Sequence, residues 1–129
     1  MKKILLTLSV VVIGVAAYLF YQDKSKTSIV DMDSNQTKVG FVYLTTPGDH
    51  GWTYAHELGK QMVEKHFGEN VKISVVENVP EGPDATRVIR ELAKQGNEII
   101  FTTSFGYMDP TLKVAKEFPD IKFEHITGY

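Results

Sequence analysis

Two rhythms of apolar and polar positions run along this chain, and the switches between them mark its elements. The run Val39-Gly40-Phe41-Val42-Tyr43-Leu44 is almost continuously apolar, the pattern of a strand buried on both faces. From Thr53 to Phe67 the apolar residues Ala55, Leu58, Gly59, Met62 and Val63 recur at helical spacing, and this stripe is expected to be buried. Gly68 stops that helix. Val71 to Val76 returns to strand character, and Pro80-Glu81-Gly82-Pro83 is a loop that feeds Pro83 into a helical first turn. A second helix, Asp84 to Gln95, carries the cleanest stripe: Ala85, Val88, Ile89, Leu92 and Ala93. Glu98 to Thr102 is a third strand, followed by the loop Thr103 to Met108. Asp109-Pro110, a cap residue before a first-turn proline, predicts a helix that runs to Phe118 before Pro119, and Ile121 to Ile126 predicts a fourth strand.

Strands alternating with helices imply parallel pairing through right-handed crossovers. A strand order of 2-1-3-4 puts the switch point between the first and third strands, where open α/β sheets bind ligands. The expected fold class is α/β, a parallel βαβαβαβ lobe in flavodoxin-like order, preceded by an N-terminal apolar helix. The loops after strands one and three then lie side by side. They are the two most unusual loops in the chain: Thr45 to Trp52 and Thr103 to Met108.

Upstream of these elements the pattern changes. Lys2 and Lys3 precede a run without charge from Ile4 to Tyr21. That run reaches the lower end of the about 17–25 residues needed to span a bilayer. Val15-Ala16-Ala17 would serve as a signal cleavage site, but the apolar run continues through Tyr18-Leu19-Phe20-Tyr21. Residues 1–21 therefore read as a signal peptide or, the favoured alternative, an uncleaved N-terminal membrane anchor. Either way the positive end stays inside, so residues 38–129, the lobe itself, are expected to be extracytoplasmic. Residues 22–37 are polar and read as a flexible linker.

Composition narrows the function classes. A chain of 129 residues has room for one domain, and a net charge of −2 supplies no basic footprint for nucleic acid. Lys2 and Lys3 belong to the leader, so the remainder is more acidic still, which argues against electrostatic adhesion to an anionic membrane. The absence of cysteine excludes disulfides, thiolate metal sites, a thiol nucleophile and a lipid-modified amino-terminal cysteine.

The candidate ligand-binding residues are Asp49, His50, Trp52 and Thr53 from the first loop, with Ser104, Phe105 and Tyr107 from the second. Aromatics from facing loops can sandwich a planar ring, while a carboxylate, hydroxyls and loop amides read its polar edge. Four of these residues also have a plainer role open to them. Trp52, the single tryptophan, either stacks on a ligand or folds back as a lid on the first helix. Asp49 contacts ligand or caps that helix, Phe105 contacts ligand or closes the core, and Tyr107 binds or is a surface ring. Catalytic residues are not expected. His56-Glu57 resembles the start of a zinc-protease helix, but Lys60 stands where the second histidine belongs. His50 and His56 read as solvated polar residues rather than a metal pair, and neither a cofactor nor a metal is expected. Ser104 lacks a glycine elbow, and Gly48, Gly51, Gly59 and Gly68 fit no phosphate-loop spacing.

Four segments carry a family resemblance. They are Gly48 to His56, Glu77-Asn78-Val79-Pro80-Glu81-Gly82, Phe101 to Pro110, and Ala115 to Phe123. Across 38–129 the chain resembles the basic membrane protein (Bmp) family, substrate-binding proteins of ABC importers related to purine nucleoside receptor lipoproteins. The resemblance implies a type I periplasmic-binding fold with two lobes, of which this chain is the amino-terminal one. It implies a small-molecule ligand, a purine base or nucleoside, and an ABC permease as partner, with a membrane link through the N-terminal segment. By position Asp49 and Trp52 match the family's ligand-facing aspartate and aromatic, and Thr53 stands where relatives often carry asparagine. Phe105 and its neighbours match the second binding loop. The Trp52 branch is similar to members that take free bases such as adenine. Two readings from other classes stand beside this one: a membrane-anchored ligand-sensing module built on the same fold, and a non-functional remnant.

Overall fold

The computed structural model describes residues 35–129, with the side chain of Asp49 outside the described ones. The expected leader (1–21) and most of the expected linker (22–37) lie outside the described residues as well. Four strands form one sheet: β1 (Thr37–Val42), β2 (Val71–Val76), β3 (Ile99–Thr102) and β4 (Lys122–His125). They are joined by α1 (Trp52–Phe67), α2 (Pro83–Lys94) and α3 (Met108–Glu117). The sheet order is β2-β1-β3-β4 with every pairing parallel, as the alternation of elements implies. Register sets Phe41 between Val75 of β2 and Phe101 of β3.

One sheet face is closed by α2 and α3. Val42 and Ile100 meet Ala85, Val88, Ile89, Leu92 and Ala93 of α2 and Val114 of α3 in one buried cluster. All five α2 residues of that cluster belong to the stripe expected from spacing. Gly40 permits the close approach, since a Cβ there would come within 3.2 Å of Leu92 Cδ1. The turn after α2 uses Gly96 at φ +82°, and buried Asn97 donates its side-chain amide to the Leu92 carbonyl at 2.8 Å.

The opposite face carries Val39, Phe41 and Tyr43 with Ile73, Val75, Ile99 and Phe101, and the Phe41 and Phe101 rings stack at 4.8 Å. Here α1 departs from expectation. Only Thr53 of α1 is buried, and Ala55, Leu58, Gly59 and Met62 are exposed, Met62 by 71 %. Toward the sheet α1 turns Glu57, which accepts a bond from the Tyr43 hydroxyl at 3.4 Å and pairs with Lys60 at 3.0 Å. Helical spacing states which residues share a stripe but not which body covers it. The stems of Glu57 and Lys60 supply apolar cover while their charges neutralise one another.

A smaller departure concerns α3. Asp109 does not cap it: a 3₁₀ turn, Phe105–Tyr107, runs directly into Met108, and Asp109 sits in the first helical turn. There its charge still suits the positive end of the helix.

The two helix faces predict opposite responses to truncation. Leu92→Ala is expected to cost about 2–5 kcal/mol, the usual result for a closely packed core leucine. Met62→Gln should change stability by less than about 0.5 kcal/mol, as surface changes do. Urea melts of both variants check this, and an equal loss in the two would contradict the outward orientation of the α1 stripe.

Candidate functional site

β1 and β3 are neighbours at the centre of the sheet, so the loops that leave their carboxyl ends emerge together. The ladder continues past the last paired residues, Val42 and Thr102. Thr103 donates both its backbone N–H (3.2 Å) and its hydroxyl (2.9 Å) to the Val42 carbonyl. The Thr103 carbonyl in turn accepts the indole N–H of Trp52 at 2.6 Å. That bond joins the first loop to the second.

Within the first loop, Pro47–Asp49 forms a 3₁₀ turn that ends at His50 in the left-handed region (φ 53°). The cap position of α1 is Gly51, not Asp49. His50 is exposed and its ring meets Tyr54 edge to face at 4.7 Å. Thr53 is buried, with its hydroxyl bonded to that of Thr45 at 2.8 Å, so it braces the loop from inside. Trp52 remains 50 % exposed. One edge of its ring is tied to Thr103 and the ring rests against His56 at 4.6 Å, an arrangement between the two roles that its position allows. His56 Nε2 is buried without a hydrogen-bond partner among the described residues, and burial pushes the imidazole below its ordinary pKa.

In the second loop only Phe105 of the three candidates points outward, 60 % exposed. Ser104 is buried and its hydroxyl donates to Glu81 Oε1 at 2.6 Å. The Gly106 N–H donates to the same oxygen at 2.9 Å. These two bonds, the hydroxyl first, hold the Glu81 carboxyl below the usual carboxylate range. The Ser104 carbonyl accepts His125 Nε2–H at 2.8 Å, which leaves Nδ1 buried and without a partner among the described residues. Tyr107 is 0 % exposed, beneath the loop rather than on it, and its hydroxyl donates to the Val79 carbonyl at 2.5 Å. Burial, with the Glu81 charge second, pushes that phenol up to about 12.

The site therefore divides its residues by direction. Trp52, Phe105 and His50 face outward, while Thr53, Ser104 and Tyr107 bond inward to protein atoms. Two aromatic faces on a fixed base suit the stacking of a flat ligand. Among the described residues no group of three or more His, Cys, Asp or Glu side chains is arranged to hold a metal ion. Reading the sequence for this site passes over Glu81, Thr103 and His125, because none stands in a periodic pattern and each acts through a partner distant in the chain.

The profile of the Bmp family, described as ABC transporter substrate-binding protein PnrA-like, matches residues 36–129. A purine-binding protein from Brucella abortus is 58 % identical over 92 residues, covering 71 % of this chain and 26 % of its own length. A putative ABC transporter glucose-binding protein from Haloferax volcanii is 35 % identical over 97 residues, covering 75 % of this chain and 24 % of its own. The chain thus spans about a quarter of the length of these curated relatives. Among solved structures, an ABC transporter solute-binding protein from Aeropyrum pernix superposes with TM-score 0.62 at 20 % identity, over 71 % of this chain and 25 % of that one. Another, from Conexibacter woesei, gives 0.58 at 23 % identity, over 67 % and 28 %. At these identities the two structures establish the fold.

Tyr107→Phe separates support from contact. Loss of the hydroxyl leaves the Val79 carbonyl unpaired and should lower stability by about 1–3 kcal/mol. In the folded state the phenol ionises near 12 instead of the ordinary 10.0, so its stabilising effect is complete below pH 10.0 and is lost as pH rises toward about 12. Denaturant melts across that window should show a shallower alkaline decline in Tyr107→Phe than in the wild type. An unchanged pH dependence would contradict the buried position of the hydroxyl.

Proposed function

This chain belongs to the Bmp family of PnrA-like ABC transporter substrate-binding proteins, and from that membership we propose that it is part of the extracytoplasmic binding component of an ABC importer that takes a purine base or nucleoside. The ligand stacks on Trp52 and Phe105, with Asp49, His50 and the loop amides at its polar edge. Thr53, Ser104 and Tyr107 belong to the site as its buried base. Binding changes no covalent bond, and transport follows when a permease receives the loaded protein. Closure over the ligand is a hinge motion between two lobes, of which residues 38–129 are one. Residues 1–21 act as signal or membrane anchor and 22–37 as the tether.

The observation that carries this reading is the outward pair of aromatics, Trp52 and Phe105, presented from adjacent loops at the carboxyl end of a parallel sheet. The indole bond to Thr103 supports it, since a ring held by its edge keeps a face free. The purine-binding name of the Brucella abortus relative favours a purine over other flat ligands. The name of the Haloferax volcanii relative favours a sugar, which also stacks on aromatic rings.

Calorimetry of the intact protein with adenine, guanine, their nucleosides and glucose distinguishes the two. Saturable purine binding is expected, with quenching of Trp52 emission, because Trp52 is the single tryptophan. Trp52→Ala should weaken binding by about 1–3 kcal/mol, the worth of one stacked base. Binding of glucose alone, or purine binding indifferent to Trp52, would refute the reading.

A further inference from the structure

The second loop is held by a residue from elsewhere in the chain. Ser104 has extended backbone, and the 3₁₀ turn Phe105–Tyr107 begins directly after it with no capping side chain of its own. A turn entered this way leaves N–H groups without backbone partners. Glu81, in the loop between β2 and α2, takes up that role from 25 residues away in sequence. Its Oε1 accepts both the Ser104 hydroxyl and the Gly106 N–H, the residues on either side of Phe105.

Gly106 fits the same arrangement. Its φ lies outside the left-handed region, so backbone conformation does not require glycine there. Space does: a Cβ on residue 106 would overlap the Glu81 carboxylate. The carboxylate thus occupies the volume that any other side chain at 106 would take. Because Glu81 is flexible and exposed, an added methyl would displace it rather than break the fold.

We propose that Glu81 is a positioning residue for ligand binding, a latch that fixes the Ser104–Gly106 segment so that the Phe105 ring is presented to the ligand. The inference rests on the purine reading above and goes beyond it by assigning a role to a residue that does not touch the ligand. Phe105 is exposed, and the ring its own meets, that of Tyr129 at 6.2 Å, is itself 98 % exposed. Tyr107 anchors the far end of the turn to Val79, and His125 anchors the Ser104 carbonyl. Glu81 supplies the bonds that bracket Phe105 itself.

The test is a double-mutant cycle on the intact protein, read by adenine affinity and by hydrogen exchange of the Gly106 amide. Glu81→Ala should weaken adenine about tenfold, as loss of charge-assisted bonds does, while the thermal midpoint stays near that of the wild type. Gly106→Ala should weaken it by a similar factor, because it expels the same carboxylate. The double variant should match either single one, since both remove one interaction. Glu81→Gln keeps an acceptor oxygen in place and should restore affinity to within about threefold of the wild type. Multiplying effects in the double variant, or wild-type affinity in Glu81→Ala, would overturn the latch. If the wild type binds no purine, the purine reading fails and the latch is judged by exchange alone. Faster Gly106 exchange in Glu81→Ala then supports it, and unchanged exchange removes it.

Discussion

Everything at the candidate site depends on the parallel pairing of β1 with β3. The ladder between them ends at Val42 and Thr102, and the next residue, Thr103, bonds twice to the Val42 carbonyl. Through this extension the rigidity of the sheet passes into a loop that would otherwise start free. The Thr103 carbonyl then receives the Trp52 indole, so a strand-end bond on β3 orients a ring that follows β1. Separate the two strands and the aromatic pair has no common base.

The site is built by directing polar groups inward and apolar rings outward, the reverse of the usual surface. Thr53, Ser104 and Tyr107 satisfy their hydroxyls on Thr45, Glu81 and Val79. A buried hydroxyl without a partner carries a desolvation cost, so each of these bonds favours the shape its loop holds. What remains outward is the surface of two rings. Under the proposed stacking, which tolerates many flat molecules, discrimination among them would fall to the groups around the rings, such as His50 and the loop amides.

The same exposure is seen on α1, whose apolar stripe at Leu58 and Met62 lies in solvent while Glu57 and Lys60 cover the sheet. The hydroxyl of Tyr43 explains the orientation in part. A phenol at that place in the sheet needs an acceptor, and Glu57 provides it. Burial, then the Glu57 charge, raises the Tyr43 pKa far above that of a free phenol, so the pair is held as neutral donor and charged acceptor.

Much was legible in the sequence because it is local. Strand runs, the α2 stripe, the helix-stopping glycines and the order of elements follow from side-chain spacing and backbone preference, which act within a few residues. Trp52 and Phe105 could be singled out by their place in loops at a switch point, each with a plainer role beside ligand contact, and the structure leaves both rings exposed. Three things waited for the tertiary structure. The side of α1 that meets the sheet depends on a hydroxyl in another element. The burial of Tyr107 depends on an acceptor, Val79, that lies 28 residues away. The work of Glu81 depends on two partners across the sheet edge, and a lone glutamate in a Pro-Gly loop carries no mark of them. Periodicity encodes which residues travel together, whereas the choice of partner is made in space, where hydrogen bonds must be satisfied by groups the local sequence does not contain.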